Sequence, residues 1–192
     1  IGINIRSTVA TYINVHDELR KRFAKTESAK SKGYKAGDFS YNTGKLRCPT
    51  CDGTGTLSLD VQFLPDVHVT CPDCHGSRYN KESYFIKYKT SKEKEYSLPE
   101  LMEMDVSFAK EACQDLKGVY RKLEVVENLG LGYLTLGEET PSLSGGEAQR
   151  LKLASEMSKS QNDSIFIFDE PTIGLHPLDV QILVKVFQSL VD

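Results

Sequence analysis

A short motif with two cysteines occurs twice in this sequence and constrains its fold more than any other feature. The two copies, at residues 48–53 and 71–76, both fit Cys-Pro-x-Cys-x-Gly. Two residues between the cysteines of a pair allow both thiolates to reach one ion from a tight turn, and two such pairs complete a tetrahedron. The repeat therefore predicts a zinc site. Its expected ligands are Cys48, Cys51, Cys71 and Cys74.

Four thiolates leave a zinc ion no open position, so we expect a structural role and not a hydrolytic one. Disulfides and redox-active thiols are the alternatives, and the glycine after each repeated pair argues against both. His75 is an alternative ligand, but four cysteines already complete the set. We therefore expect His75 and His68 at the surface. Cys113, the fifth cysteine, lies in an apolar helical pattern and is predicted to be a small core residue.

The composition is that of a globular protein, with 39% hydrophobic and 27% charged residues. No apolar run approaches the ~20 residues that a membrane-spanning helix needs. The first residues have neither the basic nor the apolar region of a signal peptide. We therefore expect a cytoplasmic protein without a membrane segment. The missing initiator methionine, and an apolar helical pattern that continues to the end, predict that the chain is cut from a longer protein.

A formal net charge of −3 excludes a wholly basic nucleic-acid binder but conceals an uneven distribution. Residues 17–50 contain nine Lys or Arg and four Asp or Glu, whereas residues 93–147 contain five and twelve. The basic region also contains aromatic residues, a combination that suits phosphate contacts and stacking on exposed bases. The alternative is a solvated helix face. The cations are Lys21, Arg22, Lys25, Lys30, Lys32, Lys35, Arg47, Arg78 and Lys81. The aromatics are Tyr34, Phe39, Tyr41 and Tyr79.

Period-two alternation of apolar residues predicts several short strands. Alternation over residues 57–63 and again over 67–69 predicts a hairpin between the cysteine pairs, and alternation over 84–88 predicts another strand. The wholly apolar run at 165–168 is typical of a strand buried on both faces of a parallel sheet.

Spacings of three and four predict helices over residues 12–30, 119–129 and 146–157. Ser97 and Asp105 are expected to cap two further helices. The helix after Asp105 should bury one face. That face comprises Phe108, Ala109, Ala112, Cys113 and Leu116.

The most specific string is Leu-Ser-Gly-Gly-Glu-Ala-Gln-Arg at residues 143–150. Two glycines at a helix start let the backbone approach an anion, and their amides add to the positive end of the helix dipole. Ser144 adds a hydroxyl donor. The alternative is an ordinary helix start, in which Ser144 and Glu147 form a capping box.

A second motif strengthens the phosphate interpretation. Asp169 and Glu170 directly follow the apolar run. An aspartate at the carboxyl end of a buried strand can hold Mg²⁺ through water, and the adjacent glutamate can polarise the attacking water. The alternative, a turn after any strand, does not explain the order and spacing of the two motifs.

The string at 143–147, followed by Asp-Glu-Pro-Thr-x-Gly-Leu-His at 169–176, resembles the signature motif, Walker B motif and D-loop of ABC-type ATPases. The cysteine repeats narrow the resemblance. Together with Gly-Tyr-Lys-Ala-Gly at 33–37, Phe-Leu-Pro-Asp-Val at 63–67 and Gly-Leu-Gly-Tyr-Leu at 130–134, they resemble the C-terminal half of the UvrA family. These proteins are the damage-recognition subunits of the bacterial UvrABC excinuclease. The resemblance covers nearly the whole chain. It implies a mixed α/β fragment of an ABC-type ATPase with an inserted four-cysteine zinc module.

The resemblance implies that the full-length protein hydrolyses ATP, with Asp169 and Glu170 as catalytic residues and Mg²⁺ as cofactor. The signature motif would contact the γ-phosphate of a nucleotide that is held by the other ABC module of the same chain. The residues of this motif are Ser144, Gly145, Gly146 and Glu147. No G-x-x-x-x-G-K-[ST] string occurs in the sequence. We therefore expect the Walker A loop before Ile1, the switch histidine after Asp192, and no ATPase activity from these 192 residues alone.

The resemblance also implies nucleotide excision repair within the SOS response, with damaged double-stranded DNA, a UvrB-type protein and a second UvrA copy as partners. In this family the zinc module lies near the DNA and damage is recognised through duplex shape. The candidate phosphate contacts are Lys30, Lys32, Lys35 and Arg47. Asp38 stands where the family usually has arginine, which points to a divergent paralogue.

Four segments are predicted. They are an N-terminal helical, basic part of the signature domain (1–44), a zinc module with its hairpin (45–90), a helical signature subdomain (91–160) and a partial ATP-binding core (161–192). Two other functions remain alternatives. A UvrA-like ATPase of drug resistance or transport explains the phosphate motifs but gives the zinc insertion no role. A zinc-knuckle co-chaperone explains the cysteines, but such modules have four knuckles and lack the phosphate motifs.

Overall fold

The computed structural model describes residues 4–59 and 67–157, together with Thr172 and six residues between 180 and 188. The chain forms two compact units. One, called here the signature unit, comprises the described residues of Ile1–His16 and Met104–Asp192. The other, called the cysteine unit, comprises those of Asp17–Glu103. The predicted division into four segments stays a prediction. The predicted strand at 165–168 lies outside the described residues.

The described elements are short helices and two-stranded antiparallel sheets, so the predicted mixed α/β class is confirmed. The helices are α1 (Val9–Tyr12), α2 (Val15–Phe23), α3 (Glu27–Ser31), α4 (Leu98–Glu103), α5 (Val106–Ala112), α6 (Lys117–Val126) and α7 (Gly145–Met157). Shorter 3₁₀ turns span Ala36–Phe39, Lys81–Phe85 and Thr140–Ser142, and a π turn spans Glu127–Leu131. The strands are β1 (Thr56–Leu59), β2 (Val67–Thr70), β3 (Lys87–Lys89) and β4 (Glu95–Ser97). None of the described helices has the length and apolarity that a bilayer crossing requires.

The predicted hairpin between the cysteine pairs is present. β1 pairs with β2 in antiparallel register, with Thr56 opposite Thr70 and Leu59 opposite Val67. His68 on this hairpin is exposed, as expected for the solvent side of a strand. The strand predicted over 84–88 starts only at Lys87, because a 3₁₀ turn precedes it. Asn80 caps that turn, its side-chain oxygen accepting the Ser83 N–H at 3.2 Å.

Aromatic rings fill the core of the cysteine unit. Phe23 packs with its ring centroid 6.0 Å from that of Phe39 and 6.2 Å from that of Tyr88. Tyr41 and Tyr79 meet edge to face at 6.1 Å, and all five rings are buried. A unit with only short two-stranded sheets needs such large side chains to bury enough apolar area. The prediction that Phe39, Tyr41 and Tyr79 stack on bases is therefore wrong.

The helix predicted over residues 12–30 is three helices. Asn14 adopts a left-handed backbone with φ of 56° and separates α1 from α2. Thr26 then starts α3, its hydroxyl oxygen accepting the Ala29 N–H at 3.3 Å. Such side-chain caps give the backbone an alternative to a continuous helix, and periodicity alone does not reveal them.

The helices of the signature unit largely follow the predicted pattern. Asp105 caps α5 by accepting the Phe108 N–H at 2.8 Å. The predicted core positions on α6, including Leu123 and Val126, are fully buried. Cys113 is also fully buried, which raises the pKa of its thiol to about 12. Phe108 was expected on the buried face of α5, but it is 71% exposed.

Candidate metal centre and signature helix

The four cysteines of the repeat converge on one point in the cysteine unit. Their Sγ atoms all lie within 4.8 Å of one another, and all four residues are buried. Sγ of Cys48 lies 3.9 Å from that of Cys71, and Sγ of Cys51 lies 3.7 Å from that of Cys74. A tetrahedral ion with zinc–sulfur distances of ~2.3 Å separates its sulfurs by about 3.8 Å. A disulfide requires about 2.05 Å. The cluster therefore fits a structural zinc and not disulfides.

Both knuckles turn with the same unusual backbone. Asp52 and Gly53 have φ of 51° and 78°, and His75 and Gly76 have φ of 50° and 88°. Two consecutive left-handed residues reverse the chain within each repeat, and glycine accepts this conformation at no steric cost. The repeated sequence therefore encodes a repeated turn. His75 is exposed, as predicted.

Glycines in the first knuckle also allow close backbone approach. A Cβ atom at Gly53 would lie 1.7 Å from the carbonyl oxygen of Tyr41. The Gly55 N–H donates to Sγ of Cys51 at 3.2 Å. Hydrogen bonds of this kind orient a thiolate and stabilise its charge.

Burial sets the proton affinity of the cluster. It raises the pKa of Cys74 to about 12 and also raises the pKa of Cys48. Burial acts in the same direction on Cys51, but hydrogen bonds from the Gly55 N–H and from Cys74 outweigh it and lower the pKa of Cys51. Zinc binds thiolates, so an ion entering this cluster must displace protons, and its affinity falls as pH falls.

Backbone hydrogen bonds hold the two knuckles together. The Cys71 N–H donates to the Gly55 carbonyl at 2.9 Å, which aligns the second knuckle with the start of the hairpin. The Cys48 N–H donates to the Arg78 carbonyl at 2.8 Å, which ties the first knuckle to the chain after the second. Leu57 packs against the cluster of four cysteines.

The candidate phosphate contacts are mostly engaged with neighbouring carboxylates. The pairs are Lys30 with Glu27 at 2.9 Å, Lys32 with Glu82 at 3.0 Å and Arg47 with Asp52 at 3.0 Å. Lys35 is exposed and makes no ion pair with the described residues. Exposed ion pairs of this kind contribute about 0–1 kcal/mol, so phosphate can compete for the cations. A cleft of about 370 Å³ beside the first knuckle is lined by Arg47 and Lys45.

Arg78, expected in the basic surface, is instead a core residue. Only 3% of it is exposed, and its guanidinium lies 5.2 Å from the centre of the Tyr41 ring. It also donates to the Gly53 carbonyl at 3.4 Å. Its backbone is left-handed, with φ of 71°. Arg78 therefore supports the cysteine cluster and is not a surface cation.

The Ser-Gly-Gly-Glu string opens helix α7, as predicted. The Ser144 N–H donates to a Glu147 carboxylate oxygen at 2.7 Å, and the Glu147 N–H donates to the Ser144 hydroxyl at 3.3 Å. The capping-box alternative is thus present. It does not remove the anion-binding potential, because first-turn N–H groups lack partners within a helix. A Cβ at Gly145 would meet no described atom within 4 Å, so packing does not require glycine there.

Two residues that sequence analysis did not assign hold this helix start in place. The Tyr133 hydroxyl donates to Glu147, and this hydrogen bond lowers the pKa of the Glu147 carboxyl. Arg150 is 6% exposed and donates to the carbonyls of Leu129 at 3.3 Å and Gly146 at 3.4 Å. The sequence signals were the string at 130–134, which contains Tyr133, and the string at 143–150, which ends at Arg150. The predicted catalytic residues Asp169 and Glu170 lie outside the described residues.

Comparison with known proteins agrees with the resemblance in the motifs. No protein-family model matches the chain. The chain is 46% identical over 193 aligned residues to "UvrABC system protein A" of Streptococcus pneumoniae, and 45% identical to that of Lactococcus lactis. The chain matches a segment of UvrA. Each alignment covers the whole chain but 20% of the relative, so the chain spans about a fifth of the length of these proteins.

The fold is also similar to that of a UvrA protein. The structure is similar to the crystal structure of UvrA2 from Deinococcus radiodurans, with a TM-score of 0.89 and 41% sequence identity. This match covers all of the chain and 22% of UvrA2. The predicted UvrA resemblance and the predicted fold class are confirmed, including the region that contains the cysteine cluster.

Proposed function

We propose that this UvrA-like segment is part of an ABC-type ATPase of nucleotide excision repair that recognises damaged double-stranded DNA. The observation that carries the proposal is the continuous match to UvrA, which includes both cysteine knuckles and the start of α7. The co-chaperone alternative does not explain the start of α7, and the transporter alternative does not explain the cysteine knuckles. We also propose a cytoplasmic location, and a UvrB-type protein and a second UvrA copy as partners.

For ATP hydrolysis, we propose that the start of α7 contacts nucleotide held by another ABC module. Amides of Gly145 and Gly146 and the Ser144 hydroxyl would donate to the γ-phosphate, since the hydroxyl hydrogen is not used in the capping box. The open space at Gly145 supports this role, because the glycine leaves room for a surface outside the described chain. Asp169 would hold Mg²⁺ and Glu170 would orient the attacking water.

For DNA binding, we propose that the cysteine unit contacts duplex phosphates, while a structural zinc bound by Cys48, Cys51, Cys71 and Cys74 keeps the unit folded. The candidate contacts differ in whether they must break an ion pair to bind phosphate. Lys30, Lys32 and Arg47 must release carboxylates, whereas Lys35 has no described ion pair to break. Among the four, Lys35 should therefore contribute most to affinity.

The test is a set of charge changes in the full-length protein, with binding to paired and damaged duplex measured at several salt concentrations. Lys35→Glu should weaken binding and lower the slope of log K against log[salt] by about 1 or more. Glu82→Gln should strengthen binding, because it frees Lys32 from its ion pair. Glu111→Gln, an exposed site in the signature unit, is the matched control and should leave the affinity unchanged.

Two outcomes would contradict the DNA-binding part of the proposal. One is an unchanged affinity after charge reversal at Lys30, Lys32, Lys35 and Arg47 together. The other is an affinity that does not depend on salt. Equal affinity for damaged and intact duplex would instead favour the resistance or transport alternative over repair.

A further inference from the structure

A groove in the cysteine unit has no part in the sites described above. It has a volume of about 490 Å³, within the ~300–1,000 Å³ typical of sites for small ligands. Its walls are the end of α2, the start of α3 with the residues that lead into it, the last residue of the 3₁₀ turn at Lys81–Phe85 and the β3–β4 pair. Arg22, Lys25, Phe85 and Tyr88 are the lining residues that matter for its chemistry.

Phe85 places an aromatic ring in solvent at the groove. It is 74% exposed, whereas the neighbouring Ile86 is fully buried. Ser83, two residues earlier, is also buried and hydrogen-bonds to the Asn80 cap. The backbone is therefore held on both sides of Phe85. The position of the ring is fixed by this backbone, and the exposed ring can stack on a planar group of a ligand.

The cations of the groove fall into two groups. Lys87 and Lys89 are paired with Glu100 at 2.6 Å and Glu93 at 3.2 Å. Arg22 and Lys25 are exposed and make no ion pair with the described residues. The Arg22 guanidinium lies 5.0 Å from the centre of the Tyr88 ring, which orients it while leaving its N–H edge for an anion.

Two glutamates also line the groove, and they limit its charge. Glu27 is paired with Lys30 at 2.9 Å, while Glu95 lies on β4. Two cations without described carboxylate partners thus stand beside one exposed aromatic face. A ligand with both an anionic group and a flat π surface matches this pattern better than a peptide of acidic residues alone, which has no aromatic surface.

We propose that this groove binds an unpaired nucleotide of DNA, with its base stacked on Phe85 and its phosphate held by Arg22 and Lys25. The inference rests on the proposed DNA binding of the cysteine unit and specifies what that unit recognises. A base that has lost its partner is the least costly to unstack. Stacking on an aromatic ring accepts any base. The groove therefore distinguishes a distorted duplex from an intact one without reading base edges.

The experiment compares two fluorescein-labelled duplexes that differ only in one unpaired thymine, using the full-length protein and fluorescence anisotropy. Phe85→Ala should lower the affinity for the duplex with the unpaired thymine roughly tenfold and leave the affinity for the paired duplex within about twofold. Phe85→Tyr should keep the preference. Lys25→Glu should weaken binding of the duplex with the unpaired thymine more than that of the paired one.

Phe108→Ala is the matched control, since Phe108 is similarly exposed but belongs to the signature unit. It should change neither affinity. Because both phenylalanines are exposed, neither substitution should disturb the packing of the core. A Phe85→Ala protein with an unchanged or equally reduced affinity for both duplexes overturns the inference. Phe85-dependent binding of a fluorescein-labelled hexaglutamate peptide also overturns it, in favour of an acidic peptide.

This result is separable from the proposed function. If the paired duplex is bound in a salt-dependent way through Lys35 but Phe85→Ala has no selective effect, only the groove assignment fails. If Lys35→Glu and salt leave binding of the paired duplex unchanged, the proposed DNA binding fails.

Discussion

The cysteine cluster and the start of α7 are both built from short glycine-containing motifs, but they differ in how complete they are. The cluster contains its four sulfurs, its hydrogen-bond donors and its buried surroundings within one unit. At the start of α7, the side chains of Ser144 and Glu147 form hydrogen bonds with the backbone of the same helix start, in the capping box. The space around Gly145 is open.

The glycines show what this difference means. Gly53 is required by its own fold, because a side chain there would collide with the Tyr41 carbonyl oxygen. Gly145 is not required by anything in the described chain. A glycine that is required by packing within its own fold, such as Gly53, indicates a structural site that is complete in itself. A glycine that packing does not require, such as Gly145, indicates a contact with a ligand or with another surface. The following predictions test this distinction, from the largest expected effect to the smallest.

Loss of a zinc ligand should have the largest effect. Cys71→Ser should abolish stoichiometric zinc and unfold the cysteine unit, because structural zinc contributes about 10 kcal/mol or more, comparable to the whole stability of a small domain. Zinc content by elemental analysis and circular dichroism after chelation are the measurements. Cys113→Ala is the control, since Cys113 lies outside the cluster; it should retain one zinc. A folded Cys71→Ser protein would show that the cluster is not a structural metal site.

Gly53→Ala and Gly145→Ala should have opposite effects on stability. Gly53→Ala should destabilise the 192-residue chain by about 3 kcal/mol or more, through the collision with Tyr41 and the positive φ. Gly145→Ala should stabilise α7 by about 0.5–1 kcal/mol, since alanine favours a helix and has free space there. Urea denaturation measures both, and ATP hydrolysis by the full-length protein should fall for Gly145→Ala. Equal destabilisation by the two changes would break the comparison.

Removing the cap of α7 should have a moderate effect. Ser144→Ala should cost about 1 kcal/mol, because the Glu147 N–H loses its acceptor. Ser144→Asp, which restores an acceptor at the cap, should recover most of that stability but weaken nucleotide binding through its charge. Thermal melts of the chain, set beside ATP hydrolysis by the full-length protein, separate the two roles. If Ser144→Asp preserved hydrolysis, Ser144 would be a cap alone.

The smallest effect concerns the pH dependence of the same helix start. Its hydrogen bond from Tyr133 holds the pKa of Glu147 below its usual value, so the charged carboxylate is the stabilising form. This contribution is complete above the unfolded pKa of about 4.3 and is lost as pH falls through the lower folded pKa. Tyr133→Phe should raise the pKa of Glu147 and cost about 0.5 kcal/mol or less at neutral pH. Carboxyl carbon NMR titration measures the shift, and an unchanged pKa would mean that Tyr133 does not hold Glu147.

The 192 residues alone should show no ATP turnover above background, because the sequence contains no phosphate-binding G-x-x-x-x-G-K-[ST] loop. Measurable hydrolysis by the purified chain, abolished by Glu170→Gln, would contradict this expectation. It would also place a complete catalytic site within the segment.

The features that the sequence predicts correctly depend on local interactions. The caps formed by Ser97 and Asp105 and the start of α7 depend on hydrogen bonds between residues three positions apart, and the hairpin pairs two strands that follow each other in the chain. The convergence of the four sulfurs was predicted as well, since the hairpin between the repeats brings them together. These features need little knowledge of the rest of the chain.

The wrong predictions concern residues whose role depends on what packs against them. Tyr41 and Tyr79 were candidates for stacking on bases but are buried in the core of the cysteine unit, and Arg78 is buried against the Tyr41 ring. Phe108, expected in the core, is exposed. Composition places aromatics and cations in the same stretch of chain. It does not say which of them face solvent, because burial is set by partners as far apart in sequence as Tyr79 and Phe39.

The sequence by itself therefore determined the cluster of four cysteines, the helix starts and the UvrA resemblance, because each is encoded in short motifs with fixed spacing. Only the tertiary structure decided that Lys35 has no described ion pair, that Tyr133 holds Glu147, and that Phe85 stands exposed beside Arg22 and Lys25. These are relations between side chains distant in the chain. They follow from how the core packs, which residue types and spacings do not specify.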